Sequence, residues 1–401
     1  MNGLEIHFGK NSTWTFPSDL RFASTPTSAS VVEDWKGAVS SALSSPLDFP
    51  SLDQALVPGD QLVLAVDPST PALVEVVAAT VQWFCERGTS EANIRIVLAG
   101  DGQWSSEELA DRIEQRCGLS IAVERHTFDD SEQVAYVAAN EASDPIYLNR
   151  SLVDADVIIP ITAARPRSSL DYFGPFGIFP LLSNRETRGK FHSLPSLENS
   201  QSHAQLRGWA DQAGWWVGVL VGIQVIPASG DQASGIIAGQ LESLEAASQA
   251  ALAKQWNEVA EDSPLVVAVI DSPPESQSWL SVARALATAQ RHVAPRGAIV
   301  LVTQLSQAVG SGLGRLRDPH QSPESIAKKL AQDSSDDALA AAVLLQATTN
   351  YHVYLISSLR NDTVESLGMG AIADGAQLTR LMDQFPSCKI LEAIQHRGLP
   401  A

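Results

Sequence analysis

The stretch from Gln61 to Gly88 limits the fold more than any other. It reads QLVLAV, then DPSTP, then ALVEVVAATVQWFCERG. The first part is an apolar run of strand length. The last part places Leu73, Val76, Val77, Val81 and Phe84 at helical spacing. Asp67 closes the strand, Thr70 reads as the helix N-cap with Pro71 in the first turn, and Gly88 reads as the stop. Asp67, Ser69 and Thr70 therefore stand where a strand's carboxyl end meets a helix N-terminus. In open α/β sheets ligands bind in that crevice, and free N–H groups there favour anions. The same residues also suit an ordinary strand-to-helix turn.

The pattern repeats along the chain. Residues 94–99 read as a strand, GDGQWSS as a loop and 107–117 as a helix, with Ser105 and Glu108 at capping-box spacing and Gly118 as the stop. SIAVERH is a third strand ending at His126, and residues 156–161 are a fourth, reached through PIYLNRSLVDA. Before these come a hairpin or arm (LEIHFG, STWTF), a Ser/Thr/Pro linker and a short helix at 35–43. Residues 162–200 lose periodicity and are rich in Gly, Pro, Arg and aromatics, as functional loops often are. GWWVGVLVGIQVIP then fits one or two buried strands, and a long helix is expected over 233–256. EVAEDSP links to a second α/β unit that opens with LVVAVI and Asp271. Within it, strands are expected at 298–303, HVYLIS and 389–391, and helices at 278–293, 323–332, 336–347 and 371–384. Strand, loop and helix in this order predict an α/β protein of two domains, 1–260 and 261–401, each with a mainly parallel, helix-covered sheet.

Composition narrows the function. The 401 residues carry a formal net charge of −19, which argues against nucleic acid or an anionic membrane as a main partner. The 3 cysteines, Cys85, Cys117 and Cys388, are far apart and read as reduced thiols of a cytoplasmic protein. The N-terminus has no signal-like segment, and no apolar run is long enough to span a bilayer.

Few motifs carry chemistry by themselves. Gly310, Gly312 and Gly314 follow a strand as G-x-G-x-G rather than the dinucleotide fingerprint, and read as a tight turn. The 8 histidines are scattered without helical ligand spacing. His126, near Asp129 and Asp130, is a candidate acid/base or a hydrogen-bonded rim residue. Arg165, Arg167, Arg185, Arg188 and Lys190 make one loop basic in an acidic chain, which hints at an anion site or at scattered surface charge.

The order of these features resembles the LarA-type family: lactate racemases and related 2-hydroxyacid racemases or epimerases that use a nickel-pincer nucleotide. The resemblance runs from about residue 31 to the end. It is carried by SALSSPLDFPSLDQALVPGDQLVLAVDPSTP, IRIVLAGDGQWSSEEL, RHTFDD, PIYLNRSLVDADVIIPI, FGPFGIFP and SWLSVARALATAQRHVAPRGAIVLVTQL. It implies the LarA-type fold, with a cleft between two domains lined by loop 162–192, and an isomerase acting by hydride transfer on a small hydroxycarboxylate. Asp67, with Ser69 and Thr70, falls at the cofactor, and His192 at the nickel ligand.

Other positions depart from the family. Thr70 replaces an Arg. The first catalytic His falls on Gln103, and the second falls near Pro166, between Arg165 and Arg167. The tethering Lys falls on Phe176. The substrate Lys and Gln fall on Arg284 and near Ser281. Gln103 does not titrate near neutrality and Phe176 forms no bond to a cofactor. The expectation is a racemase relative with altered or lost activity, His126 and His192 being the titratable candidates. The alternative is an inactive protein that binds a cofactor or a small carboxylate. The oligomeric state is not set by the sequence.

Overall fold

The structure is a computed structural model that describes residues 4–8, 12–16, 22–24, 30–100, 102–140, 142–256, 262–318 and 320–398. Six strands form the first sheet, in the order Ala233–Gln240, Val221–Pro227, Val157–Ala163, Leu62–Val66, Ile94–Leu98, Ala122–Arg125. All pair in parallel except Ala233–Gln240, which runs antiparallel at the edge. Leu62–Val66 is buried at every residue, as expected of a central parallel strand covered on both faces. Within this sheet the first strand in chain order thus lies beside the fourth, and the sheet winds outward in both directions. This doubly wound order has its topological switch point between Leu62–Val66 and Val157–Ala163. Val66 is in register with Ile161, so both strands end at the same level.

The turn after Leu62–Val66 differs from its expected form. Asp67 accepts hydrogen bonds from the backbone N–H and hydroxyl of Ser69. Thr70 N–H donates to the Asp67 carbonyl at 3.0 Å. Thr70 is therefore spent inside the turn, and the helix Leu73–Cys85 starts later, after Ala72 at φ 46°. Ala72 N–H is met by Asp231 Oδ1 at 3.3 Å. The helix Ser106–Cys117 begins at Ser105, whose side chain caps Glu108 N–H, and ends at Gly118 at φ 74°.

The second sheet is parallel throughout, in the order Gly370–Ala371, His352–Ile356, Val293–Val302, Ser263–Val269, Cys388–Leu391, Phe22–Ser24. Its switch point lies between Ser263–Val269 and Cys388–Leu391. The N-terminal hairpin, Leu4–Phe8 with Ser12–Phe16, places Ile6 and Phe8 in the core beneath this sheet. The N-terminal arm therefore adds to the second sheet, although the chain then enters the first. Most of the expected Ser/Thr/Pro linker and the start of EVAEDSP lie outside the described residues.

Three other expectations need correction. Residues 233–256 are a strand, Ala233–Gln240, followed by a helix, Leu241–Gln255. Gly235, Gly239 and the pair Ile236–Ile237 disfavour helix, and a Cβ at Gly239 would stand 2.6 Å from Leu47. The Trp-rich stretch divides differently: Ser200–Trp216 is helix and only Val221–Pro227 is strand. A hairpin, Val134–Ala139 with Pro145–Asn149, precedes the fourth strand of the first sheet. The glycine loop, expected as a tight turn, is instead a short helix, Ser311–Gly314. Asp337 accepts the N–H groups of Gly312 at 2.9 Å and Leu313 at 3.2 Å, and a Cβ at Gly310 would lie 2.5 Å from that carboxylate. The protein's own acid occupies the helix N-terminus there.

Candidate functional site

Asp67 leaves the first strand of the first sheet and Arg165 leaves the fourth, so the switch point brings them together. Arg165 Nη2 donates to Asp67 Oδ2 at 2.7 Å and also to the Ser69 hydroxyl. Both charged side chains are almost fully buried. Burial pushes the Asp67 carboxyl up, but Arg165, Arg284 and the Ser69 hydrogen bonds outweigh it, so Asp67 titrates below the ordinary range.

A second pair stands beside the first. Arg284, on the buried helix Trp279–Ala289 of the second unit, bonds Asp171 through Nε at 2.8 Å and Nη2 at 2.6 Å. Asp171 reaches it from the irregular loop after Val157–Ala163. Its carboxyl is held far below the usual range, because Arg284 and Arg165 outweigh its burial. The guanidinium fork thus already grips a carboxylate in the two-point geometry that Arg favours.

Asp67, Thr162, Arg165, Asp171, His192, Gln224 and Arg284 line a narrow cavity of about 20 Å³. Thr162 Oγ1, Arg165 Nε, His192 Nδ1 and Gln224 Oε1 are buried and make no hydrogen bond within the protein. Buried polar atoms are rarely left so, and four around one cavity mark it as a place for a polar ligand or water. His192 ends the helix Arg185–Phe191, with its N–H on the Arg188 carbonyl at 2.8 Å. Burial first, and then Arg188, depress its imidazole to about 3, against the pull of Asp171, so the ring is neutral at pH 7.

The other expected site residues lie elsewhere. His126 is buried with Nε2 on the Ser183 carbonyl at 2.6 Å and Nδ1 facing Asn149 Nδ2 at 3.3 Å. Both nitrogens are committed, and the ring does not line the cavity. Gln103 is a fastener between the two units. Its Nε2 donates to the carbonyls of Pro274 at 3.3 Å and Gln277 at 3.2 Å, and its Oε1 accepts from Ser306 at 3.0 Å. Trp104 on Ser276 and Arg112 on Glu275 close the same edge. Arg167 is largely exposed and pairs with Glu245. Ser281 sits in the first turn of its helix, its N–H capped by Ser278. Thr70 is spent in its turn.

Sequence reasoning passed over Asp171, Thr162, Gln224 and His396. An acid inside the basic loop was the available signal for Asp171. For Gln224 the available signal was a polar residue within an apolar strand. His396 carried no local signal, since only the fold-back of the chain end brings it near Arg165, Arg284 and Asp67.

Residues 13–205 match the family model of the lactate racemase N-terminal domain. No curated protein matches the chain. Among solved structures, the lactate racemase apoprotein from Thermoanaerobacterium thermosaccharolyticum aligns with a TM-score of 0.76 at 14% identity, over 98% of this chain and 99% of that one. A protein from Thermotoga maritima aligns with a TM-score of 0.64 at 16% identity, over 92% of this chain and 98% of that one. At such identities the structural likeness speaks for the fold. Residues 13–205 therefore match the lactate racemase N-terminal domain, and the chain as a whole shares the fold of the lactate racemase apoprotein.

Proposed function

We propose that this chain binds a small carboxylate, of the 2-hydroxycarboxylate class, at the first sheet's switch point. Arg284 is the receptor, and Asp171 is the internal carboxylate that the ligand displaces. The observation that supports this is the two-point Asp171–Arg284 pair on the wall of a polar cavity with open valences. Exchange of one carboxylate for another keeps the buried charge balanced, so no new ion has to be stripped of water without a partner. The cavity is now of single-water size, so binding needs the Asp171 loop to withdraw. Apparent affinity is then reduced by the small fraction of molecules in which it has withdrawn.

The residues present do not fit the nickel-pincer nucleotide that the resemblance implies. Phe176, at the tether position, is buried against Phe179, with ring centroids 6.4 Å apart, and against Gly214. Ligand pockets of that kind are roughly 300 Å³ or more, against about 20 Å³ here. Among the described residues no group of three His, Cys, Asp or Glu side chains is arranged for a metal. Around His192 two arginines, Arg188 and Arg284, outnumber the one carboxylate, Asp171, so the charges there do not favour a cation. Two-base racemisation has no support from Gln103, an amide fully engaged in holding the units together.

Titration calorimetry tests this reading with lactate, propionate and the uncharged lactamide on the wild-type protein. Saturable heat with both carboxylates and none with lactamide is the expected result. Silence with every carboxylate, or equal binding of lactamide, would overturn it.

A further inference from the structure

The second sheet also has an acid at its switch point, and the chain end returns to it. Asp271 follows Ser263–Val269. Gln395, beyond Cys388–Leu391, donates to Asp271 Oδ1 at 2.9 Å. The segment between them turns through Ala393 at φ 50°, a conformation that L residues avoid. Gln395, His396 and Arg397 are each only 3% exposed. Three consecutive polar side chains sequestered at a chain end are costly unless they serve something.

The segment also touches the loop that carries Asp171. The Arg397 carbonyl faces the Ser169 hydroxyl at 3.5 Å and accepts from Thr288 Oγ1 at 3.2 Å. Gly398 packs so closely on Ser168 that a Cβ would come within 2.6 Å of its hydroxyl. His396 Nδ1 is buried and makes no hydrogen bond within the protein. Thr288 stands one helical turn beyond Arg284 on Trp279–Ala289, so its bond to the Arg397 carbonyl sets this segment against the helix that carries Arg284. The hydroxyl of a 2-hydroxycarboxylate is two bonds from the carboxylate carbon, so whatever reads it must stand close to the guanidinium that holds the carboxylate.

We infer that His396, brought from the second sheet's switch point by the C-terminal segment, reads the ligand's 2-hydroxyl once Asp171 has withdrawn from Arg284. The inference rests on the carboxylate-binding reading and adds the residue that separates hydroxy acids from plain acids. Its hydrogen bond sets the preference for lactate over propionate at about tenfold.

The test compares lactate with propionate on wild type, His396→Phe, His396→Asn and His192→Phe by calorimetry. Wild type is expected to prefer lactate. His396→Phe should bring the ratio to about one while propionate binding is kept. His396→Asn, which retains a polar atom near the place of Nδ1, should restore the preference. Equal binding of the two acids by wild type would overturn the inference and leave the carboxylate site standing. Loss of the preference in His192→Phe but not in His396→Phe would also overturn it. No binding of either acid would remove the underlying reading and the inference together. A fold-independent check is the imidazole NMR signals of His396 in the wild-type protein. They should move on titration with lactate and stay still with propionate, and the reverse contradicts the assignment.

Discussion

The strands at the two switch points end alike, LVLAV then Asp67 and LVVAVI then Asp271, yet the two acids are shifted in opposite directions. Both are buried at a switch point. Asp67 faces Arg165, and Arg284 lies near, so it titrates below the ordinary range. Asp271 faces an amide, Gln395, and the Gly230 N–H at 2.7 Å, and burial pushes it up to about 6. Fold position alone therefore does not decide an acid's role. The partner delivered by the neighbouring strand does, through Arg165 in one unit and Gln395 in the other.

The largest effect expected comes from making the first switch point resemble the second. Arg165→Met leaves Asp67 buried without its closest cation and should cost about 3–5 kcal/mol in urea unfolding at pH 7. An unchanged midpoint would mean that Asp67 gains nothing from the pair. The two histidines sharpen the contrast through pH. His192 and His396 titrate at about 3 in the folded chain, with burial the leading cause in each, against 6.5 ordinarily. As pH falls below 6.5 the unfolded chain takes up protons that the folded one refuses, so stability drops until about 3. At pH 5 each should cost about 2 kcal/mol relative to pH 7. His396→Asn should remove its share, and a flat profile between pH 7 and 5 would contradict the burial of neutral rings.

Asp271→Asn works in the other direction. Its raised carboxyl contributes stability below the unfolded value of 3.8 that is lost as pH rises through about 6. The substitution should therefore stabilise by up to about 3 kcal/mol at pH 8 and hardly at all near pH 4. Equal effects at both pH values would mean that Asp271 is not the buried acid described. Smallest of all, Gln103→Ala removes the fastener to Pro274, Gln277 and Ser306 and should cost about 1 kcal/mol while lactate binding is kept. Abolished binding would return Gln103 to the site.

Much of this was legible. Apolar runs bounded by caps and glycines marked most parallel strands and their helices, and the acid at the end of QLVLAV marked the crevice. The LarA-type resemblance drew attention to Arg165, His192 and Arg284, which line one cavity. What escaped was tertiary. Position after a strand does not give a ring's direction, so His126 was singled out although it turns toward Ser183 and Asn149. Gln103 sits at a catalytic position of the resemblance, but its amide met three partners across the interface. Asp171 and His396 become neighbours of Arg284 only through a loop without periodicity and a chain end folded back between the units. The 233–256 segment was misread because its alanines favour helix, whereas its glycines and edge pairing decide for a strand.

The most direct measurement is a crystal structure grown with lactate. The expected result is the lactate carboxylate on the Arg284 fork, with Asp171 swung out of the cavity and the lactate hydroxyl toward His396. Asp171 still paired with Arg284, and lactate absent from the cavity at saturating concentration, would contradict the claim that this switch point is a carboxylate site.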